Sequence, residues 1–487
     1  MITNIGLLSF KSFFSFRQWW FVYLYLFVFF SAACLVSIHR FYQFDVFYFD
    51  HAIFDQALWK VAQFEPGYID HYQNEPLLQI GDHFNPTFYL LTPLYWVTDR
   101  YEPLFILQNL FVTGSAFVVF LIVRDRVKSG VMVFALVLAY TLFIGMQNAL
   151  ISAFHTELPA LFTLSLALYG LDKQKWKLYW VMLLLTFGLK ETFPAIGIGI
   201  AVYLLLKRSY RVAIATGIVS IVYYLFATRI AIPYLSTKPY FYVPVQYDHL
   251  YDHVIQFFYP FIKTETLLVG LLTFGMLPLF SIPFLPAILQ DYYVRFVMSN
   301  TPARIDLGLH YNVMATLLLA FGSVQGLVWL RKYEWYNKVM NWHGLAIIAI
   351  VLVFHVKLYT GPLGLSYNPA FYSHSANMTF LNDFIDQIPA NGKVMAPNNL
   401  AVQMTHTHDV MLIRNEYWIW MPDVIAMDFR DGQNPNNYWR LHSWEIDDFK
   451  QRLLADPNYE TVKVTDEQLY FVKNNTVDMS WYDRITN

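Results

Sequence analysis

The sequence is poor in charge and nearly devoid of cysteine. Only 14% of its residues are Asp, Glu, Lys or Arg, against about 25% in soluble globular chains. A single cysteine, Cys34, excludes a scaffold built on intrachain disulfides. The formal net charge is −2, so no overall basic field points to nucleic acid. No Walker loop, dinucleotide fingerprint, Cys-rich zinc motif or HExxH occurs, and each of those chemistries needs its own spacing. What is there instead is apolar. Of 487 residues, 56% are hydrophobic and 19% aromatic, with a mean hydropathy of +0.37. These values imply a multispanning membrane protein.

The average conceals two parts. Residues 370–487 hold 16 acidic against 9 basic residues, whereas residues 1–369 hold 19 against 24. The tail has no apolar run near the roughly 20 residues that span a bilayer. It reads as a soluble domain, 370–487, behind a membrane domain, 1–369. Apolar runs in the latter lie near 19–38, 103–123, 130–150, 157–171, 176–190, 193–206, 211–231, 266–280, 281–298, 311–331 and 343–357, which predicts about eleven spans. The first run is too long for a signal-peptide core and reads as an uncleaved anchor, with Cys34 a small packed residue.

Basic residues cluster in alternate connections: Lys11 and Arg17; Arg124, Arg126 and Lys128; Lys173, Lys175 and Lys177; Lys207, Arg208 and Arg211; Arg331, Lys332 and Lys338. Only Asp125, Asp172 and Glu334 accompany them. The positive-inside tendency places these connections and the N-terminus in the cytoplasm. An odd span count then puts the C-terminal domain outside an inner membrane, in the periplasm or extracellular space.

Acids gather on the other side. The first outer loop, 39–102, carries Asp45, Asp50, Asp55, Glu65, Asp70, Glu75, Asp82, Asp99 and Glu102 together with His39, His51, His71 and His83. Its many aromatics argue against disorder, and it reads as an amphipathic subdomain lying at the interface. In Phe49-Asp50-His51-Ala52-Ile53-Phe54-Asp55-Gln56-Ala57-Leu58-Trp59, Phe54, Leu58 and Trp59 suit one face of a short helix. Asp50 suits its N-cap. The two acids lie about 140° apart around a helix, so they need not share a site. They read either as a cap and a solvated acid, or as a general base or metal ligand. Downstream, Gly81-Asp82-His83-Phe84-Asn85-Pro86 offers an Asp–His pair that can orient an imidazole or hold a metal.

Further polar groups return to the same side. Phe154-His155-Thr156-Glu157 follows the third span, and Lys190-Glu191-Thr192 separates the fifth and sixth. Ionisable groups at membrane depth are costly and tend to pair or line a polar cavity. Arg295 and Arg304 flank an outer segment before His310-Tyr311-Asn312. Arginine suits phosphate through paired donors, and headgroup anchoring is the alternative. Asp248, His249, Asp252 and His253 sit at helical spacing, which a solvated helix explains as well as a metal.

In order, Phe54-Asp55-Gln56-x2-Trp59, Asp82-His83-Phe84-x-Pro86, Pro93-Leu94-Tyr95, Gln108, Phe154-His155-x-Glu157, Lys190-Glu191 and His310-Tyr311 form a recognisable set. The chain resembles the prokaryotic domain-of-unknown-function 2079 family of membrane proteins, grouped with the GT-C glycosyltransferases. That resemblance implies a mainly α, polytopic GT-C-like core with a small outer α/β C-terminal domain. It also implies polyprenyl-phosphate sugar donors and a catalytic acid in the first outer loop. Asp50 is the best match for that acid and Asp55 the second, although His51 stands where the superfamily commonly has an adjacent acid.

The resulting expectation is an inverting glycosyltransferase. Asp50 would deprotonate an acceptor hydroxyl, and Lys190, Arg295 or Arg304 would stabilise the leaving phosphate. Asp82, Glu157, Glu191 and His310 would bind substrate, and His83 and His155 would orient the acids or help hold a divalent cation, the one cofactor suggested. The partners are a polyprenyl-phosphate sugar lipid, membrane lipids and, through Trp418, Trp420, Trp439 and Trp444, other proteins or sugars. The rival readings are a non-catalytic subunit that scaffolds a complex through the outer domain, and a lipid or polysaccharide transporter.

Overall fold

The computed structural model describes residues 16–71, 76–299, 301–389 and 392–482; Lys11 and Glu75 lie outside them. Each of the eleven expected apolar runs is helical. Among the described residues, five helices are long and apolar enough to cross a membrane singly: Gln18–Tyr42, Glu102–Arg126, Tyr210–Ser236, His310–Leu330 and Glu334–Leu358. Two bent pairs, Gly130–Leu142 with Ile144–Ser152 and Leu250–Phe258 with Phe261–Thr273, bring the number to seven. The other runs form shorter helices: Glu157–Asp172, Trp176–Phe187, Pro194–Leu206 and Leu285–Phe296. The protein is a mainly helical, multi-pass membrane protein.

Short connections make consecutive helices antiparallel neighbours. Glu157–Asp172 packs on Trp176–Phe187, and Pro194–Leu206 on Tyr210–Phe226. The first of these turns is tight because Gly170 has no side chain: a Cβ there would lie 2.8 Å from the Tyr179 backbone nitrogen. The most enclosed helix is Val313–Leu330, where Leu317, Leu318 and Leu327 are fully buried. Three of the basic connections converge at one end of the bundle. Arg126 pairs with Asp172 at 2.6 Å, Lys173 with Asp125 at 2.8 Å, and Arg331 bonds the Arg126 carbonyl.

The C-terminal region carries a five-stranded mixed sheet. Its strands are β3 (Lys393–Ala396), β4 (Asp409–Leu412), β5 (Val424–Asp428), β6 (Tyr459–Lys463) and β7 (Gln468–Lys473); β1 (Tyr68–Ile69) and β2 (Leu77–Leu78) form a small hairpin in the first loop. The order is β4-β3-β5-β7-β6, with β4, β3 and β5 parallel and β7 antiparallel to both neighbours.

One face of the sheet packs directly on the long first loop. Phe41, Tyr48, Ile53 and Ala57 share a core with Val394, Leu412 and Val424, and each large side chain so buried contributes about 1.5–3 kcal/mol. Polar contacts reinforce this seam. Asp70 accepts from the Leu412 backbone N–H at 2.8 Å and pairs with Arg414 and Arg440. The tryptophans expected to form a partner surface are mostly engaged internally. Trp418 stacks on Tyr482, Trp420 lies beneath the Arg414 guanidinium and Trp439 packs on Phe49. Trp444 alone of the four is strongly exposed, at 76%.

Candidate active site

Asp50 occupies an irregular turn, Tyr48–Ala52, ahead of the helix Ile53–Ala62. It does not cap that helix. Its φ of +95° is a conformation that non-glycine residues adopt only when their surroundings impose it, at a cost of about 1–3 kcal/mol. Two anchors hold the turn: the Phe49 N–H donates to Asn398 Oδ1 of the C-terminal domain at 2.9 Å, and Tyr48 OH donates to Gln56 at 2.6 Å. The result aims the carboxylate into a cavity of about 610 Å³. There Asp50 Oδ2 lies 3.6 Å from His155 Nε2, and its side chain is 39% exposed because what it faces is the cavity. Burial by itself would raise its pKa, but His155, His310 and Lys190 hold it down at about 2.

Seven of the residues singled out in the sequence line this one cavity: Asp50, Asp82, His83, His155, Lys190, Arg304 and His310. They come from four separate stretches of chain. Gly145 permits one of these convergences. A Cβ there would fall 2.5 Å from Asn312 Cβ, so its absence lets the turn His310–Asn312 press against the helix Ile144–Ser152, which leads into His155. The two imidazoles stack with centroids 3.3 Å apart.

Behind the cavity wall the charges are paired. Lys190 Nζ donates to Glu157 Oε1 at 2.7 Å. His83 Nδ1 donates to Glu191 at 3.0 Å, and Tyr240 OH donates to the same carboxylate at 2.9 Å. Asp82 accepts from Tyr242 OH at 3.0 Å and lies 3.4 Å from His71 Nε2. Burial would push the His83 imidazole down, but Glu191 and Asp82 hold it above its ordinary value.

The remaining candidates are placed elsewhere. Glu191 is fully buried behind His83 rather than lining the cavity. Glu157 lines a smaller recess with Lys190, Arg295, Arg304 and Tyr311. Arg295 acts mainly as a brace: it pairs with Asp291 at 3.2 Å and donates to the Arg304 carbonyl and to Asn312 Oδ1. Arg304 lies 5.2 Å from the Tyr311 ring, and its Nε is buried without a hydrogen-bond partner. Asp55 is not at the site. It is fully buried where the loop meets the C-terminal domain, bonded by Tyr95 OH and Thr405 Oγ1 and 2.8 Å from His406 Nε2. The separation follows because Asp50 belongs to the irregular turn ahead of the helix, whereas Asp55 lies within the helix Ile53–Ala62.

His253 shares a 2.7 Å hydrogen bond with Tyr293 OH, while Asp248 and His249 are exposed just ahead of the helix Leu250–Phe258, which buries no residue fully. Among the described residues, His155, Glu157 and His310 make a group that can hold a metal ion. Sequence reasoning did not select His71, Tyr240 and Tyr242 for the site. The abundance of tyrosine in 232–265 was the available signal, but spacing cannot reveal that Tyr242 reaches Asp82 across 160 residues.

A profile of the family described as predicted membrane protein (DUF2079) matches residues 40–470. The chain belongs to this family. All the cavity-lining residues fall inside the matched region. The fold is also similar to that of ArnT from Cupriavidus metallidurans, solved bound to undecaprenyl phosphate. The TM-score is 0.56, the identity 11%, and the alignment covers 94% of this chain and 99% of that one. At that identity the likeness establishes a GT-C-like fold and nothing finer. No functionally curated protein matches the sequence.

Proposed function

We propose that this DUF2079 member is a membrane glycosyltransferase that transfers a sugar from a polyprenyl-phosphate donor to an acceptor hydroxyl. The observation that carries the reading is an ionised carboxylate, Asp50, facing a cavity of about 610 Å³ that Asp82, His83, His155, Lys190 and Arg304 also line. The fold neighbour solved with undecaprenyl phosphate supports a polyprenyl phosphate as the lipid class. Basic connections gathered at the far end of the bundle favour the outer membrane face for the site, with the C-terminal domain outside an inner membrane.

The reaction is written on this chain's residues alone. Asp50 accepts the acceptor's hydroxyl proton as the acceptor oxygen bonds to the anomeric carbon. The bond from that carbon to the phosphate oxygen breaks, and the lipid phosphate departs with the electron pair. Lys190 and Arg304 meet the charge that develops there. Attack opposite the leaving group inverts the anomeric centre. Purified protein incubated with labelled polyprenyl-phosphate sugars and a panel of hydroxyl acceptors tests this. Donor consumption with sugar release or transfer is the expected result; a folded protein that neither binds nor consumes any donor refutes it.

Arg304 provides a sharper probe than Lys190, because Lys190 also neutralises Glu157 and its loss would disturb the wall. Arg304→Ala should weaken polyprenyl-phosphate binding by about 10- to 100-fold, the worth of one charge-assisted contact. Unchanged affinity would remove Arg304 from the phosphate site.

A further inference from the structure

Two imidazoles and a carboxylate meet beside the Asp50 carboxylate in a way that hydrogen bonding within the protein does not account for. His155, His310 and Glu157 are only 4%, 3% and 6% exposed, yet His155 Nε2, Glu157 Oε2 and His310 Nδ1 have no hydrogen-bond partner. Buried polar atoms are nearly always satisfied, so three orphans within one cluster point to a missing partner common to them. One ligand atom from each residue lies within 4.8 Å of the other two, a spread that small side-chain rotations bring to an ion about 2.0–2.2 Å from each donor. Hydrogen bonding explains only part of the group. Lys190 occupies Glu157 Oε1 at 2.7 Å and leaves the second oxygen unused, while Asp50 stands 3.6 Å from His155, beyond hydrogen-bond reach.

We infer that His155, His310 and Glu157 bind one divalent cation of the zinc class. Two imidazole nitrogens and one carboxylate are a borderline-soft set that suits Zn²⁺ and its neighbours in the first transition row better than Mg²⁺ or Ca²⁺, which favour all-oxygen shells. The charges agree. Lys190 offsets Glu157, which leaves Asp50 as the negative charge nearest the two histidines, and a dication balances it. Three protein ligands are one short of a closed structural zinc site, so a coordination position remains for an exogenous group. His155 and His310 line the cavity with Lys190 and Arg304, and a phosphate oxygen there would have the ion and both cations around it. That last role rests on the transferase reading; the ion's binding does not.

The experiment therefore uses the full-length purified protein, stripped with a chelator and exposed to Zn²⁺ alone, with no donor or acceptor present. Bound metal is counted by elemental analysis after desalting, and Co²⁺ serves as a spectroscopic probe through its ligand-field bands. One ion per chain is expected, lost in His310→Gln, whose elution volume and thermal midpoint stay near wild type, and in Glu157→Gln, whose thermal midpoint falls because Lys190 is left unpaired. Less than one ion per chain in the wild type, or equal binding by both folded variants, overturns the site. Should one variant misfold, His155→Gln takes its place with the same two outcomes. Polyprenyl-phosphate binding measured on the stripped protein reports on the transferase reading separately, so either idea can fail alone.

Discussion

Asp50→Asn should lower sugar transfer by about 100- to 10,000-fold, the range a positioned general base contributes, while donor binding stays within a few fold of wild type. The amide keeps the size and polarity of the side chain but cannot take a proton. Because the carboxylate is held at about 2, it is ionised throughout the physiological range, so its availability does not limit the reaction. A base that weak does not deprotonate a sugar hydroxyl ahead of attack; proton transfer must accompany cleavage of the bond to phosphate. The strained turn adds a second test. Asn398→Ala removes the side chain that holds the Phe49 N–H without touching the cavity, and it should reduce turnover while leaving Asp50 in place. Transfer rates and donor affinities for the three proteins decide the matter: wild-type turnover in Asp50→Asn would take the base away from this residue.

Asp55→Ala should be the most destabilising single substitution outside the bundle, at about 3–5 kcal/mol, because it strands a buried charge. The partner is His406. Its Nδ1 lies 2.8 Å from the Asp99 carbonyl and its Nε2 2.8 Å from Asp55, so both ring nitrogens face oxygen atoms. Trp59 stacks on one side at 5.4 Å and Tyr101 on the other at 4.1 Å, a setting that favours an imidazolium. Burial opposes that charge, yet the Asp55 carboxylate holds the His406 pKa above its ordinary value and His406 in turn lowers that of Asp55.

The pH dependence follows from those directions. A histidine raised in the folded state contributes stability that is complete below about 6.5 and is lost as pH rises through the raised folded value. An aspartate lowered in the folded state contributes stability that is complete above about 3.9 and is lost as pH falls through the lowered value. The seam between the first loop and the C-terminal domain should thus be firmest on a plateau between the two. Thermal midpoints measured against pH should fall on the alkaline side in wild type and less steeply in His406→Gln; parallel curves would mean His406 is neutral in the fold.

The short ionisable stretches that line the cavity were legible in the chain. Asp50, Asp82-His83, His155, Lys190, Arg304 and His310 stand out because ionisable residues are scarce in so apolar a sequence, and the structure brings all of them to one cavity. The helical runs were legible for a similar reason, since apolar stretches must hydrogen-bond internally in lipid. Their lengths were less so. Several runs fold as helices of 12–16 residues, because proline, glycine and charged residues end the helix inside or beside the apolar run.

Tertiary structure decided what distinguishes neighbours within a motif. Asp50 and Asp55 are alike in sequence context, but the turn at Tyr48–Ala52 sends one to the cavity and the helix carries the other to His406. Arg295 and Arg304 are both phosphate candidates by residue type, yet Arg295 spends its donors on Asp291, Asn312 and a carbonyl. His155 and His310 are 155 residues apart, and no periodicity could show that their rings stack. Composition and apolar length by themselves determined a membrane-embedded helical protein with a polar C-terminal domain, because those follow from solvation of each segment taken alone. Which acid faces the cavity, which base is free, and which histidines meet depend on contacts between distant segments, and packing alone sets those.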